Sequence, residues 1–343
     1  MGRLIFLLSG EHPTLPASEV LASIEAEGYD CRVKEKIDQG LVVRTEADPK
    51  SLSKRIAMTH WIGEHFCTSR LDEVLDAVGS TDLIDFLPHG ESIAVRVRRI
   101  KQYSPEVDVI KLAKDIADQL LEEVKFQVDL TNPDNEIVCV LTEDLCALGV
   151  VKAKVDRSQF EERRPKRRTA IHPATLQPRF ARVLVNLART PREGSLLDPF
   201  CGIGGILLEA GLIGAKPIGM DIKPDLIEGA KENLKWAGVD EFELQVGDAR
   251  ELSIGKVDAI ATDPPYGRQA STGDLELKEV YEEVLPVLSR TLKGGRYLCI
   301  CAPQELDLKE LASGLKLSLE EKHKQRVHKD LTRNIYVFRR KKD

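Results

Sequence analysis

Hydrophobic positions along the chain change their rhythm near residue 176. Before it, RLIFLLS (3–9) reads as a strand and PASEVLASIEAEG (16–28) as a helix that Gly28 ends, with Ser18 placed to cap it. DCRVKEKIDQGLVVRTE (30–46) predicts two strands and DPKSLSKRIAMTHWIGEHF (48–66) a helix, which together make one small α/β unit. A second unit follows, from the helix RLDEVLDAVG, the strand ESIAVRVRRI, the helix DVIKLAKDIADQLLEE and the strands NEIVCVLTED and CALGVVKAKVD. RSQFEERRPKRRTAIHPATLQP (157–178), rich in Arg and Pro, reads as a linker between domains, with no helix assigned to it.

After Leu176 the pattern becomes strict β/α alternation. Strands are expected at SLLDPF, KPIGMD, FELQVGD, VDAIATD and RYLCICA, with helices near 203–214, 224–237, 276–292 and 306–314. SLEEKHKQRVH and NIYVFRRK then stand close enough for an antiparallel hairpin. Such alternation implies a parallel sheet with helices on both faces, binding its ligand beyond the carboxyl ends of the strands.

Composition narrows the class. At 343 residues, 42% hydrophobic and 31% charged, the chain reads as a soluble protein of two or three domains. The first apolar run is too short for a signal-peptide core and no run reaches membrane-spanning length, so a cytoplasmic protein is expected. The seven cysteines form no paired CxxC framework, and Cys299 and Cys301 read as buried thiols in a strand. Trp61 and Trp236 are read as core residues.

The net charge of −6 argues weakly against a nucleic-acid partner, but the charges are not spread evenly. Val151 to Arg182 carries ten Lys or Arg against three acids, and Lys322 to Asp343 nine against two. In AVRVRRIK (94–101), Arg96 and Arg98 alternate onto one face of a strand. Any one cluster also fits solvated surface charge; three on an acidic chain favour a phosphate track.

Four acids close four successive predicted strands. LLDPFCGIGGILLEAG puts Asp198 at a strand end, followed by Phe200, Cys201, Gly202, Gly204 and Gly205 leading into a helix. Such a turn lets backbone approach a ligand closely, although Leu207 stands where a dinucleotide fingerprint requires a third glycine. Asp221, followed by Ile222, is placed to accept from ribose hydroxyls, and Asp248, followed by Ala249, to meet an adenine amino group. Each acid also fits as a cap of the next helix. The full rim suits a cationic, adenosine-containing ligand with little phosphate.

The fourth strand ends in ATDPPYGRQ. Prolines have no N–H for a sheet, so the ladder should stop at Asp263. The Asp263 carboxylate and the Pro264 carbonyl, held at a fixed angle by Pro264 and Pro265, would accept the N–H bonds of a nucleobase amine as its nitrogen turns tetrahedral. Tyr266 would offer a face to the unstacked base, and Asp263 could take the departing proton. A plain Pro-Pro turn is the rival reading. No His/Cys/Asp spacing indicates a metal site, and the chemistry asks for none.

DPFCGIGG, GMDI, GDA and DPPYG, in this order, resemble the class I methyltransferases that use S-adenosylmethionine. The likeness implies that Asp198 and the Gly202 to Gly205 turn hold the methionine part, Asp221 the ribose, and Asp248 with Ala249 the adenine. Thr175, within IHPATLQP, fits either a domain-joining turn or the lining of the cofactor pocket. The N-terminal half resembles the ferredoxin-like and THUMP domains of tRNA-modifying enzymes. IHPATLQPRFARVLVNLA and HKDLTRNIYVF resemble the archaeal tRNA (guanosine-10-N2) mono/dimethyltransferase family. The implied fold is α/β, a seven-stranded Rossmann-like class I methyltransferase domain preceded by ferredoxin-like and THUMP domains. The expected boundaries are 1–50 for the ferredoxin-like part, 51–155 for THUMP, 156–175 for a basic linker and 176–343 for the methyltransferase domain.

The resemblance further implies transfer of methyl groups to N2 of guanosine-10 in tRNA by a monomer acting without an obligatory protein partner. Arg96 and Arg98, with Arg163, Arg164, Lys166, Arg167 and Arg168 of the linker, would contact RNA. His328 and Arg333 could reach RNA from the hairpin, or form a solvated edge. Rival readings are a THUMP methyltransferase for another tRNA guanosine such as position 6, a DNA amino-methyltransferase, and a non-catalytic RNA-binding adaptor.

Overall fold

The computed structural model describes residues 2–81, 86–87, 90–123, 126–173, 175–265, 274–328 and 331–342. The chain forms two compact units, one from Met1–Glu11, Tyr29–Lys54 and Thr59–Asp156, the other from His12–Gly28, Arg55–Met58 and Arg157–Asp343.

The first unit is built on an eight-stranded sheet of β1 (Gly2–Leu8), β2 (Cys31–Ile37), β3 (Gly40–Thr45), β4 (Thr59–Arg70), β5 (Ser92–Arg99), β6 (Gln127–Val128), β7 (Asn135–Leu141) and β8 (Leu145–Lys154). Their order is β2-β3-β1-β4-β8-β7-β5-β6. The helix Val109–Glu123 packs Ile116 and Leu120 against Ile93, Ile137 and Leu148. Strand β4 corrects the helix expected through Phe66. Only Pro49–Arg55 of that stretch is helical. From Thr59 the β-formers Thr, Trp, Ile and Phe dominate, and β1 and β8 pair with the strand on either side. Gly63 sits at the crowded centre of that pairing, where a Cβ would stand 2.9 Å from the Val150 carbonyl oxygen.

The second unit holds a seven-stranded sheet of β9 (Ser195–Asp198), β10 (Lys216–Asp221), β11 (Glu243–Val246), β12 (Val257–Thr262), β13 (Leu292–Pro303), β14 (Leu317–His328) and β15 (Leu331–Arg340). The order is β11-β10-β9-β12-β13-β15-β14. The first five strands are parallel, and β15 enters antiparallel between β13 and β14. Both faces are covered, so neighbouring residues on one strand serve different cores. Leu196, Ala259, Cys299 and Val337 face one, and Leu197, Ile260, Ile300 and Tyr336 the other. Each fully buried leucine contributes about 1.5–3 kcal/mol relative to exposure. Trp61 is buried as expected, whereas Trp236 is 40% exposed.

The helix Leu15–Ala26 does not belong to the unit of its neighbouring strands. It packs against the helix Pro178–Leu187 in the second unit. Fully buried Glu19 accepts the N–H groups of Ala57 and Met58 at 2.9 and 2.7 Å and the Asn186 amide at 2.8 Å. Glu25 accepts from the Tyr297 hydroxyl at 2.6 Å and from Arg189 at 3.2 Å. This corrects the expectation of one small α/β unit at the N-terminus: the buried residues of this helix are satisfied by residues far along the chain.

Candidate active site

Strand order places the reversal of the sheet between β9 and β12, where an open α/β sheet leaves its crevice. Asp198 ends β9 and Asp263 follows β12, so both stand at that point. The Asp198 carboxylate is 2% exposed and accepts from the Thr262 hydroxyl at 2.7 Å and the Phe200 N–H at 3.2 Å. Burial pushes its pKa up to about 7; the two hydrogen bonds oppose the shift, while the charges of Asp263 and Asp221 add to it.

Asp221 ends β10, next to β9 in the sheet. Its carboxylate accepts the Gly202 N–H at 2.9 Å and the Lys223 N–H at 3.1 Å, tying the glycine turn to the adjacent strand end. Gly202 and Gly204 have φ of +51° and +80°, and a Cβ on Gly204 would lie 3.2 Å from that of Ala230. The turn delivers the chain into the helix Gly205–Leu212. Ile222, beside Asp221, leaves 63% of its surface exposed, an apolar face next to the ribose-binding candidate. Phe200 is half-buried, and burial pushes the Cys201 thiol up, with Asp198 and Asp221 reinforcing the shift.

Thr175 lies with its methyl carbon 3.8 Å from where a Cβ of Gly205 would be, so the turn it closes onto His172 also lines the glycine turn. Asp248 caps the turn that follows β11 by accepting the Arg250 N–H at 2.9 Å, and the Arg250 side chain reaches the same carboxylate at 2.6 Å. Ala249 is buried. Asp248 thus caps this turn and its carboxylate is paired with Arg250, while its side chain keeps 23% exposure.

Asp263 is half-buried, Pro264 buried and Pro265 exposed. Arg333, from β15, donates from Nη1 to Asp263 Oδ2 at 2.8 Å, from Nε to Gln325 at 2.8 Å, and stacks on Phe180. Arg333 is itself buried, so it is an internal partner and not a solvated edge. The Tyr266 expectation lies outside the described residues, as does the His328 side chain.

The basic residues divide. Arg96 and Arg98 are exposed on β5, where Arg96 also pairs with Glu136 at 3.0 Å. Arg164, Lys166 and Arg167 are exposed, Arg164 with Glu161 at 2.6 Å. Arg163 and Arg168 turn inward, which corrects their place in an RNA-facing track. Arg163 clamps the fully buried Glu209 at 3.0 and 3.1 Å, and Arg168 donates from Nε to the Arg163 carbonyl at 2.9 Å. The segment expected as an unstructured linker contains the helix Ser158–Glu162 and a 3-10 turn at Pro165–Arg167. Sequence reasoning missed Thr262, Glu209 and the role of Arg333, whose partners lie tens of residues away.

The residues suit an adenosylated amino acid: Asp198, raised chiefly by burial and further by the charges of Asp263 and Asp221, would be relieved by a cationic ligand. No helix among the described residues is long and apolar enough to cross a membrane.

The family described as RMKL-like, methyltransferase domain, matches residues 165–335, and the THUMP domain family matches residues 68–151. A tRNA (guanine(10)-N2)-dimethyltransferase of Methanothermobacter thermautotrophicus is 37% identical over 98% of this chain and 99% of its own length. One from Methanocaldococcus jannaschii is 32% identical over 98% and 99%. TrmN from Thermus thermophilus shares the fold, with a TM-score of 0.54, 18% identity and coverage of 98% and 99%. A glycine turn between strand-end acids, followed by an Asp-Pro-Pro corner and matched along almost the whole chain, means that this protein belongs to the tRNA (guanine(10)-N2)-dimethyltransferase family.

Proposed function

We propose that the protein transfers methyl groups from S-adenosylmethionine to the exocyclic N2 of guanosine-10 in tRNA, in two successive rounds. The observation that carries the chemistry is Asp263, fixed by Arg333 beside a buried Pro264 at the crevice of the sheet. The cofactor supplies an electrophilic methyl group on sulfur when bound.

The chain's own residues do the rest. Asp198 and the Gly202–Gly205 turn would hold the methionine part, Asp221 the ribose, and Asp248 with Ala249 the adenine, with Ile222 beside them. A guanine amino nitrogen shares its lone pair with the ring and attacks poorly while flat. The Asp263 carboxylate and the Pro264 carbonyl would accept its two N–H bonds and favour the tetrahedral geometry in which the lone pair is available. Arg333 occupies one carboxylate oxygen, which fixes the plane of a group with about four acceptor sites. Asp263 would then take the proton lost from nitrogen.

The THUMP-bearing unit would grip tRNA, with Arg96 and Arg98 on phosphates, and Arg164, Lys166 and Arg167 would extend the track. The protein would act as a cytoplasmic monomer without an obligatory protein partner, with domain limits near 1–50, 51–155, 156–175 and 176–343 and the helix Leu15–Ala26 counted with the last.

The test incubates unmodified tRNA carrying guanosine-10 with S-adenosylmethionine and either wild type or Asp263→Ala, then identifies nucleosides by mass spectrometry. N2-methylguanosine followed by its dimethyl form is expected. Both should fall by about 10²-fold or more in the variant and vanish when guanosine-10 is replaced. Methylation of another guanosine would refute the position, and no transfer to any tRNA would refute the activity.

A further inference from the structure

Arg168 is 4% exposed, yet both of its terminal nitrogens, Nη1 and Nη2, lack a hydrogen-bond partner. Among the described residues its one hydrogen bond is from Nε to the backbone carbonyl of Arg163. A buried guanidinium with two donor groups unmet is costly, because those groups have lost water without gaining a partner. Glu209, whose charge acts on Arg168, does not answer the need: it is already held by Arg163 and, at 2.8 Å, by Arg182. Arg163, Arg168 and Arg182 thus all act on Glu209, with Glu19 felt by Arg182 as well, and the Arg168 terminal nitrogens are left without a bonded anion.

The position of that charge is specific. Arg168 Nη1 lies 3.5 Å from where a Cβ of Gly205 would stand, at the first residue of the helix Gly205–Leu212. Thr175 approaches the same point. The first turn of this helix leaves its leading N–H groups without intrahelical partners and carries the positive end of its dipole. The buried cation and the helix start therefore converge on one spot of the glycine turn, while the acids Asp198, Asp221 and Asp263 gather at the adjoining strand ends. The two poles match a zwitterion, with carboxylate toward Arg168 and positively charged nitrogen and sulfur toward the acids.

We infer that the Arg168 guanidinium is the anchor for the α-carboxylate of the methionine part of S-adenosylmethionine, together with the start of the Gly205 helix. This rests on the cofactor reading above and adds a residue that the linker interpretation had turned toward RNA. Arg168 does not take part in methyl transfer; it selects ligands that keep the amino-acid carboxylate and sets the depth at which the sulfonium stops.

The experiment measures binding of two ligands to the full chain by calorimetry: S-adenosylmethionine, and its decarboxylated form, which keeps the sulfonium, the amine and the adenosine. Wild type should bind the first about 10- to 100-fold more tightly, the range of a charge-assisted bidentate contact. In Arg168→Met that preference should shrink to within about threefold, chiefly through loss of affinity for S-adenosylmethionine, and Arg168→Lys should retain part of it. Equal affinity of wild type for both ligands would overturn the inference without using a variant that must fold. A variant that weakens both ligands alike would also overturn it, marking Arg168 as scaffold only. Absence of binding of either ligand to wild type would instead refute the cofactor reading itself.

Discussion

Arg333 and Asp263, seventy positions apart in sequence, form a 2.8 Å ion pair at the mouth of the sheet, with the arginine flat against Phe180. A guanidinium held by a ring, a glutamine and a carboxylate has little freedom, so it transmits the position of β15 to the Asp-Pro-Pro corner.

Arg333→Met should therefore lower kcat by roughly 10²-fold through misplacement of Asp263, with little change in KM for S-adenosylmethionine. Arg333→Lys should recover part of the loss. Steady-state kinetics of the two variants separate this positioning role from a general loss of folded protein, which would lower the active fraction and leave the apparent KM and kcat per active site unchanged.

Asp198 has a folded-state pKa of about 7, above that of an unfolded carboxylate. Its contribution to stability is thus present below the ordinary carboxylate range and is lost as pH rises toward and through 7. A cationic ligand favours the ionised form, so binding at pH 6 should release a proton and affinity should rise through pH 7. Calorimetry in two buffers of different ionisation enthalpy reads the proton directly, and Asp198→Asn should abolish its release.

Glu19 joins three donors in the second unit from a fully buried position. Replacing it by Ala leaves those donors unmet and should cost about 3 kcal/mol. Thermal melting should fall by roughly 6–12 °C. A fragment beginning at Arg157 loses the whole helix Leu15–Ala26 and should be insoluble or unfolded when expressed alone.

On the first unit, Arg98→Glu should weaken tRNA binding across sequences and reduce the slope of log affinity against log salt by about one. Cofactor affinity should stay unchanged. Filter binding at several salt concentrations measures the slope, and an unaltered slope would remove β5 from the phosphate track.

The β/α alternation and the strand-closing acids were legible because each is a local signal: a period of two, a turn, a residue at a strand end. Asp198, Asp221 and Asp263 stand where that logic put them. Asp248 also stands at its strand end, but its pairing with Arg250 answers to a neighbour two positions on. What was not legible is non-local. A largely apolar helix announces that it needs a partner without saying which, and the local pattern points Leu15–Ala26 to its sequence neighbours. A run of arginines reads as solvated until its counter-charges are known. The signal for Arg163 lay in the lone glutamate of GILLEAGL, an acid in an otherwise apolar helix. Thr59 to Arg70 went astray because its β-formers follow directly on a true helical turn.

The placement of the helix Leu15–Ala26 has a consequence for how the chain is made. Its partner helix begins at Pro178, and so is made about 150 residues later. At ordinary synthesis rates it waits on the order of ten seconds with Val20 and Ile24 uncovered. The catalytic unit is therefore completed around a segment made long before the rest of it. A gene fusion that exchanged the RNA-binding half as a block would also carry away a piece of the enzyme.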